Sequence, residues 1–200
     1  MKWIAVSQRV DIVPEYGERR DAVDQKWTEF LAACGFLPLL LPNHATTVSA
    51  LLTDHPVAGV LLTGGNDLSA YGGSAPERDQ AELELLTWAR QHRIPVMGVC
   101  RGMQLIQHHF GVPLEPVSGH VQPRQDVWVN GIREQVNSYH KLGTRTTVPD
   151  LLVWAKTDDG VIKAIRHASE PIIGLMWHPE RMAPFRSADL ALCTSHFGET

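Results

Sequence analysis

The first half of the chain alternates short apolar segments with segments of helical periodicity, and this alternation constrains the fold more than any other feature. A continuous apolar run such as VAGVLL at 57–62 is typical of a strand buried on both faces, and such strands occur in parallel sheets covered by helices. The pattern therefore predicts an α/β fold, a three-layer sandwich with a mostly parallel central sheet. The predicted strands are 3–7, 36–41, 57–62 and 95–99, and the predicted helices are 20–34, 47–54, 80–92 and 101–110.

The second half of the chain has a different pattern, with shorter strands separated by turns. Within the first half, residues 69–79 are rich in Gly, Ser and Pro, which predicts an exposed loop. Thr47 is the predicted N-cap of the second helix. No linker divides the sequence, so we expect residues 1–200 to form a single domain. The strands predicted in the second half are 127–130, 151–156, 161–166 and 172–177.

Composition excludes several classes of protein. The chain carries 18 Lys and Arg against 22 Asp and Glu, a net charge of −4, which argues against a protein whose main task is to bind the nucleic-acid backbone. No apolar stretch reaches the ~20 residues that span a membrane, and the N-terminus has no signal-peptide pattern. Cys34, Cys100 and Cys193 fit neither a disulfide framework nor a zinc motif. Free thiols and a cytoplasmic location are therefore expected.

The segment GVCRG at 98–102 lies between a predicted buried strand and a predicted helix, which is the context of a nucleophile elbow. Glycine on either side of Cys100 permits a sharp turn because it lacks a Cβ atom. The unpaired N–H groups at the start of the following helix favour a thiolate over a thiol. The alternative interpretation is that Cys100 is a small buried residue at a strand end, as most free cysteines are.

A histidine that could serve this cysteine follows the last predicted strand. His178 is placed at the carboxyl end of that strand, where open parallel sheets carry their sites. It can exchange a proton with a thiol, and Glu180 can hold its second ring nitrogen and fix the tautomer. Alone, the sequence His-Pro-Glu is more typical of a turn with a solvated carboxylate. Together with Cys100, it favours a Cys-His-Glu triad.

Four motifs occur in an order and spacing that resemble the class I glutamine amidotransferases, and most closely their stand-alone branch, the γ-glutamyl amide hydrolases. The resemblance extends from Ile4 to about Glu180 and implies a flavodoxin-like architecture. The motifs are TGGND at 63–67, GVCRGMQ at 98–104, VNSYH at 136–140 and WHPE at 177–180.

The resemblance implies roles for individual residues. Cys100 matches the family nucleophile, His178 its base and Glu180 the third member of the triad. The backbone N–H groups of Gly65 and Arg101 match the oxyanion hole, which holds the negative oxygen of the tetrahedral intermediate.

The same resemblance implies a set of substrate-binding positions. For Gln104 and Ser138, ordinary hydrogen bonding within a helix and a loop is an equal alternative, and Asn137 could be only a turn residue. The implied substrate-binding residues are Gly64, Gln104, Asn137, Ser138 and Tyr139.

The implied reaction is cysteine-dependent hydrolysis of a γ-glutamyl amide through a γ-glutamyl thioester, which releases glutamate and an amine or phosphoramidate. No metal or organic cofactor is expected. His108 and His109 are adjacent on a predicted helix and point about 100° apart, so they cannot face one metal ion together. The candidate substrates are γ-glutamyl-aminobutyrate, other γ-glutamyl amines and γ-glutamyl-CDP-amidate. For the last, Arg9, Arg19 and Arg20 could pair with phosphate, or they could be solvated surface charge.

Two other functions remain open at this point. The chain could be a glutaminase subunit that supplies ammonia to a separate synthase, or a catalytically silent binding subunit. The expected partner is a small-molecule γ-glutamyl amide, and neither a nucleic-acid polymer nor a membrane is expected. The sequence leaves open a homodimer or a synthase partner.

Overall fold

The computed structural model describes residues 1–198. The strands in this part of the chain are β1 (Lys2–Val6), β2 (Arg9–Val13), β3 (Glu18–Ala22), β4 (Phe36–Leu40), β5 (Gly59–Leu62), β6 (Val96–Val99), β7 (Glu115–Pro116), β8 (Val121–Val129), β9 (Ile132–Tyr139), β10 (Leu142–Gly143), β11 (Leu151–Lys156), β12 (Ile162–His167) and β13 (Ile172–Leu175). The helices are α1 (Gln25–Ala33), α2 (Ala45–Asp54), α3 (Pro76–His92), α4 (Arg101–His109) and α5 (Ser187–Gly198), with single 3₁₀ turns at Ser69–Tyr71 and Pro179–Arg181.

The main sheet has the order β4-β1-β5-β6-β13-β12-β11-β8-β9 among the described residues. The strands from β4 to β13 pair in parallel, as the alternating pattern of the first half predicts. From β13 onward, β12, β11, β8 and β9 continue the sheet in antiparallel order. The α/β fold is confirmed, with a parallel centre and an antiparallel extension.

Helices cover both faces of the parallel strands. Successive side chains of a strand point to opposite faces. In β1, Ala5 packs in a cluster with buried residues of α2, α3 and α4, while Ile4 and Val6 pack in a second cluster with residues of α1 and α5. The sheet is thus the middle of three layers, and the carboxyl ends of its parallel strands lie along one edge.

The predicted start of the first helix at residue 20 is wrong. Residues 18–22 instead form β3, which pairs antiparallel with β2. The helix begins at Gln25, after the Asp24 carboxylate accepts a hydrogen bond from the Lys26 N–H (3.0 Å) as its N-cap. The apolar spacing that includes Val23 fits a helix by chance, because strand pairing with β2 determines the conformation of this segment.

Two other helix starts differ from the prediction. The second helix begins at Ala45 with His44 at the N-cap, and the Thr47 hydroxyl contacts the His44 ring at 2.7 Å instead of capping the helix. The third helix begins at Pro76, so residues 76–79, predicted as loop, form its first turn. Proline is favourable at this position because the first helical N–H has no partner in the helix.

The second half contains two elements that the sequence pattern does not predict. Strands β8 and β9 form a hairpin joined by Asn130 and Gly131, whose φ angles of 48° and 83° suit a tight two-residue turn. Only the end of β8 was predicted, as 127–130. Helix α5 buries Cys193 and Phe197 against the sheet. In the part of the chain described, no helix is both long and apolar enough to cross a membrane.

Candidate active site

Cys100 lies at the junction of β6 and α4 with φ 54° and ψ −105°, a backbone conformation that L-residues rarely adopt. Its N–H donates to the Leu175 carbonyl of the neighbouring strand at 2.7 Å, which fixes the turn. The adjacent glycines are sterically required: a Cβ on Gly98 would lie 2.6 Å from the Gly102 carbonyl, and one on Gly102 would lie 2.1 Å from the Leu62 carbonyl oxygen. The segment therefore has the geometry of an elbow that displays the thiol at the sheet edge.

His178 follows β13 at the same edge of the sheet. Its Nδ1 lies 2.7 Å from Oε1 of Glu180, and both side chains are buried. A Cβ added to Gly64 would lie 2.7 Å from Cε1 of His178 and 3.5 Å from Cβ of Cys100. The His178 imidazole and the Cys100 segment therefore both lie next to Gly64, with only the backbone of this glycine between them. The three predicted triad residues are brought together.

The electrostatics of His178 favour the imidazolium. Burial disfavours its charge, but interactions with Cys100 and with the Glu180 carboxylate outweigh burial and raise the pKa of His178 to about 9. A group with this pKa carries a proton at neutral pH. His178 can therefore act as a proton donor beside Cys100.

Asn137 on β9 holds the backbone of His178. Its Nδ2 donates to the His178 carbonyl and its Oδ1 accepts from the His178 N–H, each at 2.8 Å. Both polar ends of this buried side chain are therefore engaged, across 41 positions of sequence. These two hydrogen bonds fix the position of the backbone from which the His178 imidazole extends.

Two cavities meet at Gly65. The thiol-side cavity has a volume of about 340 Å³, and residues that line it are Cys100, Arg101, Gln104, Tyr139, His140 and Gly65. The imidazole-side cavity has a volume of about 230 Å³, and residues that line it are Arg9, Trp27, Gly64, His178, Arg181 and Gly65. A substrate whose scissile bond lies between Cys100 and His178 can extend one end into each cavity.

The predicted substrate-binding residues are distributed unevenly around these cavities. Gln104 and Tyr139 line the thiol-side cavity, and Nε2 of Gln104 donates to the Leu142 carbonyl at 2.9 Å. The Ser138 hydroxyl is fully buried, donates to the His120 carbonyl at 2.7 Å and accepts from Nζ of Lys163 at 2.9 Å. The three arginines weighed for phosphate binding all pair with carboxylates: Arg9 with Asp11, Arg19 with Glu77 and Arg20 with Glu18. Of the three, Arg9 lines the imidazole-side cavity.

A buried polar cluster behind the thiol-side cavity was not predicted. Lys163 on β12 contacts Ser138 Oγ and, at 2.6 Å, Nε2 of His140. Burial lowers the pKa of Lys163 to about 7, although Cys100 and Asp159 partly oppose this shift. Burial and the neighbouring Lys163 lower the pKa of His140 to about 3, so its ring stays neutral. A lysine in a mostly apolar strand is the sequence signal that could have indicated this cluster.

A second unpredicted group lies under the Thr63–Asn66 segment. Arg78, in the region predicted as loop, is fully buried and hydrogen-bonds to this segment. It also pairs with Glu82, and Glu82 pairs with the Arg101 side chain. Opposite charges four positions apart after Pro76 are the helical signal that would have indicated the first of these pairs. Among the residues described, no cluster of three His, Cys, Asp or Glu side chains is arranged to hold a metal ion.

The chain is similar in sequence to several known proteins. The peptidase C26 family model matches residues 4–180. A γ-glutamyl-CDP-amidate hydrolase from Campylobacter jejuni is 29% identical over 184 residues, covering 90% of each chain. A γ-glutamyl-γ-aminobutyrate hydrolase from Escherichia coli O157:H7 is 27% identical over 206 residues, covering 82% of this chain and 80% of the relative.

Two further similarities involve proteins named after a synthase. One subunit of a glutamine-hydrolysing GMP synthase from Methanosarcina mazei is 29% identical over 158 residues, covering 70% of this chain and 72% of the relative. A crystal structure from Thermoplasma acidophilum, assigned provisionally to the corresponding GMP synthase subunit, superimposes with a TM-score of 0.74 at 19% identity, over 99% of this chain and 93% of that chain. The structural likeness concerns the fold.

Proposed function

The chain belongs to the peptidase C26 family, amide-bond hydrolases, and on that premise we propose that it cleaves a γ-glutamyl amide with Cys100 as nucleophile. The single observation that carries the proposal is the approach of Cys100, His178 and Glu180 at one sheet edge, with a cavity on either side. His178 is the general base and acid, and Glu180 is the carboxylate that orients it. The chain is a hydrolase, and the details below are proposals.

The first half-reaction forms a thioester. The Cys100 thiolate attacks the γ-carbonyl carbon, and the carbonyl oxygen becomes an oxyanion that accepts hydrogen bonds from the Gly65 and Arg101 N–H groups. Each donor of this kind contributes about 3–4 kcal/mol to transition-state stabilisation. The carbon–nitrogen bond then breaks as the His178 imidazolium gives its proton to the departing nitrogen. The products are a γ-glutamyl thioester on Cys100 and a free amine or phosphoramidate.

The second half-reaction uses water. Neutral His178 removes a proton from a water molecule, whose oxygen attacks the thioester carbonyl within the same oxyanion hole. The carbon–sulfur bond breaks, and the thiolate–imidazolium pair is restored. The sum is addition of one water across the amide bond, with release of glutamate.

The two cavities suggest how the substrate is oriented. The glutamyl group occupies the thiol-side cavity, where Gln104 and Tyr139 contact its α-amino and α-carboxylate groups. The leaving group occupies the imidazole-side cavity, because His178 must reach its nitrogen. Asn137 positions the His178 backbone, and Ser138 shapes the cavity wall through its buried hydrogen bonds.

The leaving group we favour carries phosphate, as in γ-glutamyl-CDP-amidate. The observation that favours it is the presence of Arg9 and Arg181 in the lining of the imidazole-side cavity, since guanidinium groups bind phosphate oxygens in a bidentate manner. Arg9 pairs with Asp11 there, and because this ion pair is about half exposed it contributes little, so a phosphate can replace the carboxylate. The C. jejuni relative bears the name of a hydrolase for this substrate. γ-Glutamyl-aminobutyrate, whose leaving group carries a carboxylate, is the competing substrate.

The test is glutamate release by the purified chain across γ-glutamyl-CDP-amidate, γ-glutamyl-aminobutyrate and glutamine, with no partner added. We expect the nucleotide amidate to be hydrolysed fastest, and faster turnover of γ-glutamyl-aminobutyrate would reject it as the preferred substrate. Arg9→Ala should raise KM for the nucleotide amidate about tenfold, as expected for one charged hydrogen bond, while Arg20→Ala on the same hairpin should not.

The nucleophile is tested by mass. Cys100→Ala should lower glutamate release by at least about 10⁴-fold and abolish a trapped γ-glutamyl adduct on the intact protein. Cys193→Ala, at a buried thiol of α5, is the matched control and should retain both. An adduct that persists in Cys100→Ala would contradict the assignment.

An ammonia-supplying subunit is the second candidate, favoured by the similarity to the M. mazei GMP synthase subunit. It predicts glutaminase activity that appears only when a synthase is added. A silent binding subunit predicts no glutamate from any amide and no adduct. Hydrolysis by the isolated chain excludes both.

A further inference from the structure

Arg78 on α3 contacts the predicted oxyanion loop more extensively than any residue of the proposed triad. Its side chain is fully buried, and its guanidinium donates to the carbonyl oxygens of Thr63 (2.8 Å), Gly64 (3.1 Å) and Gly65, and to the side-chain oxygen of Asn66 (3.1 Å). One side chain therefore holds three successive carbonyls of a segment that has no regular secondary structure.

Because of the geometry of the peptide bond, these contacts also determine where the N–H groups of the loop point. A peptide unit is planar and trans, so the carbonyl of one residue and the N–H of the next point in opposite directions. With the Gly64 carbonyl directed at Arg78, the Gly65 N–H is directed away from it. Arg78 is buried on one side of the loop, while Gly65 lines both cavities on the other.

The second predicted donor is tied to the same helix. The Arg101 side chain, 1% exposed, forms ion pairs with Glu82 and Asp79, and Glu82 also accepts from Nε of Arg78 at 2.9 Å. The buried residues Arg78, Glu82 and Arg101, together with the partly buried Asp79, thus form one ionic clamp. Through α3 it connects the loop that carries Gly65 to the first residue of α4.

We propose that the ionic clamp positions the two N–H donors of the oxyanion hole, so that Arg78 and Glu82 are positioning residues for hydrolysis. This inference rests on the proposed function. Burying three paired charges contributes little net stability compared with apolar residues of similar volume. The guanidinium group of Arg78, in contrast, has several N–H donors in fixed directions. It therefore orients several carbonyls at once, which apolar packing cannot do.

The test uses two readouts that depend differently on the oxyanion hole. Hydrolysis of a γ-glutamyl amide passes through a tetrahedral oxyanion, whereas alkylation of Cys100 by iodoacetamide does not, and it needs only the thiolate. In Arg78→Met and Glu82→Gln we expect kcat to fall about 10²–10³-fold, with KM changed less than about threefold. The alkylation rate of Cys100, measured by peptide mass, should stay within about threefold of the wild type.

Controls separate positioning from stability. Arg78→Lys retains a buried cation with fewer directed donors and should recover part of the lost kcat, which keeps the test available if Arg78→Met does not fold. Arg90→Met removes an ion pair with Glu170 (2.7 Å) at the other end of α3 and should leave kcat unchanged.

The inference is overturned if the clamp variants lose no more kcat than Arg90→Met, or if Cys100 alkylation slows in proportion to kcat. A wild-type chain without turnover of any amide overturns the proposed function and the clamp together. An active wild type with fully active clamp variants overturns the clamp alone.

Discussion

The two sides of the candidate site are supported by different chemistry. On the nucleophile side, buried charges hold the backbone: Arg78 and Arg101 pair with carboxylates of α3 beneath the oxyanion loop and the elbow. On the base side, a neutral carboxamide holds the backbone, since Asn137 contacts both the N–H and the carbonyl of His178.

The difference corresponds to what each side does in the proposed reaction. The oxyanion hole needs dipoles that do not change, and permanently charged groups can fix them at all stages. Burial lowers the pKa of Arg78 to about 10, which still leaves it protonated at neutral pH. His178 must instead gain and lose a proton. A neutral amide supports its backbone without competing with Glu180 for the imidazolium charge.

Among substitutions of the groups that support the nucleophile or the base, the largest effect is expected from Glu180→Gln, which removes the carboxylate that contacts His178 Nδ1 on the base side. An amide cannot stabilise the imidazolium as a carboxylate does, and it can orient the wrong tautomer. We expect kcat to fall about 10³–10⁴-fold. Glu134→Gln, at a carboxylate paired with Arg186, is the control. A variant that keeps a tenth of wild-type kcat would contradict the role of Glu180.

The same substitution should change the pH dependence of stability. The pKa of His178 is about 9 in the folded chain and about 6.5 in an unfolded one, so its ionisation stabilises the fold fully below pH 6.5. This contribution is lost as pH rises through 9. Chemical denaturation at pH 6 and pH 10 should therefore show a larger deficit for Glu180→Gln at pH 6.

A substitution at the junction of the two sides should have an effect at the lower end of the range expected for the clamp variants. Gly64→Ala places a methyl carbon 2.7 Å from Cε1 of His178, and the ring cannot yield without leaving Glu180. We expect kcat to fall about 100-fold, because an ångström of misplacement has that cost. Gly198→Ala, whose added Cβ meets nothing within 4 Å, is the control. Unchanged kcat in Gly64→Ala would show that the ring has freedom which the structure does not give it.

Asn137→Ala tests the support that the neutral Asn137 carboxamide gives to the His178 backbone. It removes two backbone hydrogen bonds, each worth about 1 kcal/mol, so we expect kcat to fall about 10- to 50-fold, less than in Arg78→Met. Gln135→Ala, on the same strand, is the control. The contrast between charged and neutral support fails if Asn137→Ala exceeds the clamp variants.

The sequence predicts the parallel strands and the elbow well because both depend on local patterns. A continuous apolar run identifies β5, and glycines on both sides of Cys100 identify the turn that its φ of 54° requires. The proximity of Cys100 to His178 and Glu180 was also predicted, since parallel strands end at one edge. Each of these features can be recognised from the local sequence, without knowing which distant residues contact it.

The supports could not be predicted because their partners are distant in sequence. Asn137 meets His178 across 41 positions, and no local pattern distinguishes it from a turn residue. Arg78 lies in a Gly- and Pro-rich stretch that resembles an exposed loop, yet it is fully buried. Likewise, residues 18–22 form a strand because β2 pairs with them, not because of their own propensity.

The smallest effect on the rate of hydrolysis is expected from Lys163→Met. This buried cation contacts a hydroxyl and an imidazole, whereas the cations of the clamp pair with carboxylates. The pKa of Lys163 is about 7 in the folded chain against about 10.4 when unfolded, and Cys100, Asp159 and His140 are the titratable groups around it. Its protonation therefore opposes folding fully below pH 7, and this penalty disappears as pH rises towards 10.4. Chemical denaturation should find Lys163→Met more stable relative to the wild type at pH 6 than at pH 10, whereas the exposed Lys156→Met should show no such trend. If the difference in stability between Lys163→Met and the wild type does not depend on pH, Lys163 keeps an ordinary pKa in the folded chain. Its charge is then permanent, like the charges of the clamp.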